Sequence, residues 1–146
     1  MNALRAVRPA FGRGESIVVD GYPLEIVLVK NPAGFRLALN SYVGREATTM
    51  IAINDNYADS RDVSWLWDVD FQSLERVALV SGARAYDMAL RLQYGDIDVA
   101  QVEPSLPKAL AELLRGEGAK RVYCTYTAMM TLRGLLAAEF DVESIE

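Results

Sequence analysis

Apolar runs of strand length alternate along this chain with stretches whose apolar positions recur at helical spacing. "PLEIVLVK" (23–30) is followed by Asn31-Pro32-Ala33-Gly34 and then by Phe35, Leu37, Ala38, Leu39 and Tyr42 on a helical period. "TTMIAIND" (48–55) opens a second unit, and "RVALVSG" (76–82) leads a third into "ARAYDMALRLQYG", with Ala85, Met88, Ala89 and Leu92 on one face and Gly95 as the stop. A short strand "IDVAQV" (97–102), a helix over "SLPKALAELLRGEG" (105–118) that ends at Gly116, a strand "KRVYCTY" (120–126) and a helix over "TAMMTLRGLLAAEF" follow. Four strand-to-helix units in succession predict an α/β domain, a mostly parallel sheet with helices on both faces. Ahead of them "GESIVVDGYPLEIVLV" (14–29) alternates around Asp20-Gly21, a hairpin signal that adds an antiparallel pair at the start of the sheet.

Composition narrows the chemistry. The 146 residues, 51% of them hydrophobic, suffice for one core, and residues 14–146 read as a single domain. Residues 1–13, a short amphipathic piece ending near Arg8-Pro9, read as the end of an interdomain segment preceding it. The net charge of −5 comes without any Lys/Arg cluster, so no footprint for nucleic acid or anionic lipid is present. The single cysteine, Cys124, lies in an apolar strand and reads as a small buried hydrophobe. With no histidine in the chain, cysteine or histidine metal sites and histidine-based catalysis are excluded unless another chain supplies the imidazole. Neither G-x-x-x-x-G-K-S/T nor G-x-G-x-x-G occurs, which argues against a self-sufficient nucleotide enzyme. No signal peptide or membrane span is visible, and a cytoplasmic location is expected.

In an open α/β sheet, ligands gather outside the carboxyl ends of the strands, so the strand exits "KNPAG", "NDNYADSRD", "SGARAYD" and "TYTAMM" are the candidate segments. Helix starts expected at Pro32, Ala83 and Thr127 offer free N–H groups there, with Asn31, Ser81 and Thr125 or Thr127 as candidate caps. The second exit is the most unusual. Asp55, Asp59, Asp62, Asp68 and Asp70 crowd around Trp65 and Trp67, with Arg61 as the only cation. The i, i+4, i+7 spacing of Asp55, Asp59 and Asp62 would place three like charges on one face of any helical path. Either they cap turns while the tryptophans anchor the segment and Arg61 pairs with a neighbour, or one carboxylate is held ready for a cation or for an imidazole from a partner.

In order, "PAFGRGE", "LVKNPAGF", "AINDNYADSRDVSWLWDVDF", "SGARAYDMALRL" and "YTAMMTLRGLL" resemble the C-terminal domain of MurT, the Mur-ligase-like subunit of lipid II isoglutaminyl synthase. The resemblance runs from about residue 8 to 136 and is most specific from Asn54 to Asp70. It implies a Mur ligase C-terminal-domain-like, Rossmann-like fold and a partner, a GatD-like glutaminase that releases ammonia with a cysteine and a histidine. It also implies an upstream ATP-binding Mur ligase domain, which activates the α-carboxyl of D-glutamate in the lipid II stem peptide for amidation. ATP and Mg²⁺ are then expected for the full-length ligase and no cofactor or metal in this chain.

The family's C-terminal domain is expected to dock the glutaminase and to lend an aspartate that completes a Cys-His-Asp triad. Carried onto "DNYAD", that aspartate is Asp55 as first choice, with Asp59 and Asp62 as alternatives. Lys30, Asn31 and Gly34 match the stretch that faces the substrate and nucleotide cleft, and Trp65 and Trp67 are expected as structural anchors. Two departures stand out: Ser60 replaces a usual glycine, and the upstream phosphate-loop domain, usually with a four-cysteine zinc ribbon, is not in this sequence. A fragment of such a ligase, inactive alone, is the leading expectation; the alternative is a stand-alone binding or regulatory module of the same fold.

Overall fold

A computed structural model describes residues 15–56, 59 and 62–140. The expected interdomain segment, Ser60 and the expected pairing of Arg61 fall outside the described residues. The hairpin forms as the Asp20-Gly21 signal predicts: β1 (Glu15–Val19) and β2 (Tyr22–Leu28) pair antiparallel in the register Val19 to Tyr22 and Glu15 to Ile26. Its two-residue turn puts both Asp20 and Gly21 at positive φ, 53° and 88°, the geometry for which Asp-Gly is suited.

From β2 the chain enters α1 (Pro32–Ser41). Asn31 caps it, with Oδ1 accepting from the Gly34 N–H at 2.7 Å, and Pro32 follows where no amide is needed. Then come β3 (Thr48–Ala52), a 3₁₀ turn (Ser64–Asp68), β4 (Arg76–Ser81), α2 (Ala85–Tyr94), β5 (Asp98–Val102), α3 (Leu106–Arg115), β6 (Lys120–Cys124) and α4 (Tyr126–Phe140). Gly95 and Gly116 sit at the ends of α2 and α3 as expected. The helix expected from Ala83 starts two residues later, because the Ala83 and Arg84 amides bond instead to Asn54 Oδ1 and the Ile53 carbonyl.

The six strands run β1-β2-β6-β3-β4-β5, all parallel except β1. The connection from β2 to β3 therefore crosses over β6, and the one from β5 returns across β4 and β3 to place β6 between β2 and β3. Two apolar layers follow. Phe35 and Leu39 of α1, Leu66 of the 3₁₀ turn, and Met88 and Leu92 of α2 pack on one face; Leu110 and Leu113 of α3 and Leu132 and Leu136 of α4 pack on the other. Forward connections lie on the first face and the backward one on the second, as the right-handed crossover rule requires. β6 and β3 are neighbours whose following segments leave to opposite faces, which makes their carboxyl ends the switch point of the sheet.

Candidate functional site at the carboxyl ends of β3, β4 and β6

Three strand exits are knotted together by side chains at this switch point. Asn54 follows β3: its backbone N–H donates to Thr125 Oγ1 at 2.9 Å, its Nδ2 to Thr127 Oγ1 at 3.0 Å, and its Oδ1 accepts from Ala83 N at 2.9 Å. One residue thus ties β3 to the segments that enter both α2 and α4. Asn56 adds a further bond from Nδ2 to Thr127 Oγ1 at 3.1 Å.

Asp59 closes the knot. It is buried, 4% exposed, and its Oδ1 accepts the Thr127 N–H at 2.7 Å, while its Oδ2 accepts the Thr127 hydroxyl and the Asn56 N–H, the latter at 3.0 Å. A carboxylate on a first-turn amide of a 15-residue helix is a cap supplied from 68 residues away, favoured by the hydrogen bonds and by the positive end of the helix dipole. Thr125 and Thr127, expected as caps, serve here as acceptor and relay for Asn54 and Asp59. Ser81 does not cap α2; its hydroxyl points to the Pro104 carbonyl at 3.4 Å.

Asp55 has a different setting. Its Oδ2 meets Arg84 Nη1 at 3.1 Å, its side chain is 27% exposed, and Oδ1 has no partner among the described residues. Arg84 in turn holds Asp87 Oδ2 through Nε at 2.6 Å. That hydrogen bond pushes the Arg84 pKa up and the Asp87 pKa down, so both charges persist through the neutral range. Asp62 is exposed and accepts the Ser64 N–H at 2.9 Å; this bond is the main reason its pKa is lowered. Among the described residues of the segment none lies in an α-helix, and Asp55, Asp59 and Asp62 each meet a separate donor rather than sharing one.

Of the expected anchors, Trp65 packs tilted against Phe35 with ring centroids 6.2 Å apart, and its indole N–H has no acceptor among the described residues. Trp67 stands largely outside the core at 45% exposed, edge-on to Tyr94 at 5.0 Å with the Arg91 guanidinium over its ring. The residue between them, Leu66, is the one buried in the apolar layer. Lys30 is exposed at the β2 exit, beside the Asn31 and Gly34 cap of α1. These three lie at a neighbouring strand exit, and among the described residues no hydrogen bond or ion pair joins them to the Asp55 cluster.

Among the described residues no group of three acidic, cysteine or histidine side chains converges to hold a metal ion, and no helix is long and apolar enough to cross a membrane. A broad, open depression of about 750 Å³ lies at the other end of the sheet, lined by Arg45, Glu46, Thr48, Arg76 and Glu117 among others, away from every candidate residue. Sequence reasoning missed Asn54, Arg84 and Asp87. The i, i+3 pair Arg84 and Asp87 at a helix start was the available signal for two of them.

Fold and site together define an α/β domain of the Mur ligase C-terminal type, with a polar knot at its switch point and no nucleotide fingerprint. The profile of the MurT ligase C-terminal family matches residues 28–129, and the chain belongs to that family. It is 33% identical over 123 residues to the "Lipid II isoglutaminyl synthase (glutamine-hydrolyzing) subunit MurT" of Staphylococcus aureus (strain COL), covering 80% of this chain and 28% of that protein. The protein of the same name from Streptococcus pneumoniae (strain ATCC BAA-255 / R6) is 30% identical over 140 residues, covering 90% of this chain and 31% of its own length. The chain therefore spans less than a third of the relatives it matches.

Proposed function

We propose that this chain is the C-terminal, glutaminase-docking domain of an ATP-dependent lipid II isoglutaminyl synthase and is inactive alone. In this reading a GatD-like glutaminase hydrolyses glutamine to glutamate and ammonia. An upstream Mur ligase domain holds ATP and Mg²⁺ and activates the α-carboxyl of the stem-peptide D-glutamate, and ammonia displaces the activating group to form the amide. Lys30, Asn31 and Gly34 face the ligase side, at the exit of β2. The complex works in the cytoplasm at the inner face of the membrane that carries lipid II.

Asp55 is the residue offered to the partner. A carboxylate that accepts the second N–H of a histidine fixes its tautomer and stabilises the imidazolium formed when the histidine takes a proton from cysteine. One observation carries this assignment. Of the three aspartates proposed for the role, Asp59 is buried with its oxygens engaged by Thr127 and Asn56, whereas Asp55 is partly exposed with one oxygen without a partner among the described residues. The absence of histidine from this chain is consistent with an imidazole that comes from the partner.

The test uses the full ligase subunit with its glutaminase. Asp55→Asn is expected to lower glutamine hydrolysis by about 10²-fold or more while the two proteins still co-purify, on the scale of removing a triad carboxylate. Wild-type hydrolysis by Asp55→Asn would reject the assignment and leave Asp62 as the exposed alternative.

A further inference from the structure

We propose that Arg84, braced by Asp87, is a positioning residue that holds Asp55 with one carboxylate oxygen pinned and the other presented to the partner's imidazole. This rests on the reading of Asp55 given above and extends it to side chains that no motif assigned.

The geometry is a relay across two strand exits. Arg84 is fixed first through its backbone: its N–H donates to the Ile53 carbonyl at 2.9 Å, two residues before Asp55. Gly82 allows that approach, because with φ at +96° any Cβ would overlap the Ile53 carbonyl. The side chain is fixed next, with Nε on Asp87 Oδ2 at 2.6 Å and Nη1 on Asp55 Oδ2 at 3.1 Å. Asp87 lies in the first turn of α2, where a carboxylate is favoured by the helix dipole, so the brace is rooted in regular structure. Asp55 itself follows β3 outside regular structure, and Arg84 is the hydrogen-bond donor to its side chain among the described residues. That ion pair pins Oδ2 and leaves Oδ1, without a partner among the described residues, as the acceptor. The Asp55 and Arg84 side chains are 27% and 32% exposed, so a second protein can reach the carboxylate without unpacking the core.

A surface ion pair that merely stabilised the loop would leave turnover alone. The positioning role predicts a loss in kcat. In the full ligase subunit bound to its glutaminase, with glutamine as the probe, Arg84→Gln is expected to lower the kcat of hydrolysis about 10- to 100-fold, the range for residues that orient a reacting group through another. The KM for glutamine should stay within about twofold. Arg84→Lys, which keeps a charge but not the two-pronged fork, should recover part of the loss. In an Asp55→Asn background Arg84→Gln should cost little more, because both act through one carboxylate. Co-purification and the melting temperature of each variant separate these effects from misfolding, and Arg84→Lys supplies a test if Arg84→Gln does not fold. Wild-type kcat in Arg84→Gln beside a crippled Asp55→Asn overturns the positioning role while sparing the assignment of Asp55. A full, multiplicative loss in the double variant, or a change in KM alone, overturns it also. Wild-type hydrolysis by Asp55→Asn overturns both.

Discussion

Asp55, Asp59 and Asp62 carry the same functional group within eight positions and meet three environments. Asp59 is the structural one. Asp59→Ala removes two bonds to Thr127 and one to Asn56, and we expect a loss of about 2–3 kcal/mol from combined cap and buried charge-assisted terms, read as a lower midpoint in urea unfolding of this chain. Arg115→Ala, which breaks an exposed i, i+3 pair with Glu112, is the control and should change stability by less than about 0.5 kcal/mol. A second residue-scale effect concerns alkaline pH. Burial pushes the Tyr123 phenol up, and burial together with Glu25 does the same to Tyr42, so the unfolded chain releases these protons first. Their contribution is complete below the unfolded tyrosine value near about 10 and is lost as pH rises through the folded values. Urea midpoints measured at a series of pH values should therefore fall above that point, and Tyr123→Phe should flatten the fall. None of these fates was legible from spacing. A period reports which side of an element is buried, whereas the partner of Asp59 is 68 residues away and is chosen by how β6 inserts beside β3.

At the scale of elements the sequence was far more informative, because the signals are local. Asn31 reaches only three residues ahead to cap α1, and Asp20-Gly21 turns the hairpin through its own backbone preferences. Apolar runs placed all six strands, four of them because parallel strands covered on both faces read as nearly continuous hydrophobic stretches. The reading slipped in two places: the strand-to-helix unit opened by β3 carries only the 3₁₀ turn Ser64–Asp68 among the described residues, and at the start of α2 Asn54 and Ile53 capture the amides that periodicity had given to the helix. The turn that makes this capture possible depends on Gly82. We expect Gly82→Ala to destabilise the chain by more than about 2 kcal/mol, since it combines a left-handed backbone with a Cβ forced into the Ile53 carbonyl. Gly118→Ala is the informative comparison, because Gly118 shares the positive φ, at 94°, but has open space around a Cβ, so only the conformational part of the cost should appear in its unfolding midpoint.

Across the whole molecule, both apolar layers rest on the same central strands, and the polar knot at the switch point joins segments from the middle and the end of the chain. Such an arrangement couples the two layers through shared strands, and one side chain reports on how tightly. Cys124, the single cysteine, is fully buried in β6 between β2 and β3, with Sγ directed to the Val27 carbonyl. A thiol reagent reaches it when the α3 and α4 layer that covers it lifts from the sheet or when β6 separates from a neighbour, and either event breaks the packing of Leu110, Leu132 and Leu136 and pulls Thr125 and Thr127 away from Asn54 and Asp59. Under native conditions the labelling rate of Cys124 should therefore track global unfolding, with a denaturant dependence equal to the equilibrium m-value of the chain. Asp59→Ala should accelerate labelling in proportion to the stability it removes, whereas Arg84→Gln should accelerate it far less, because the Arg84 pair lies at the surface. Labelling that outpaces global unfolding, or that responds equally to both substitutions, would mean that the carboxyl end of the sheet opens as a separate unit, and Asp55 would then be presented by a mobile rather than a rigid frame.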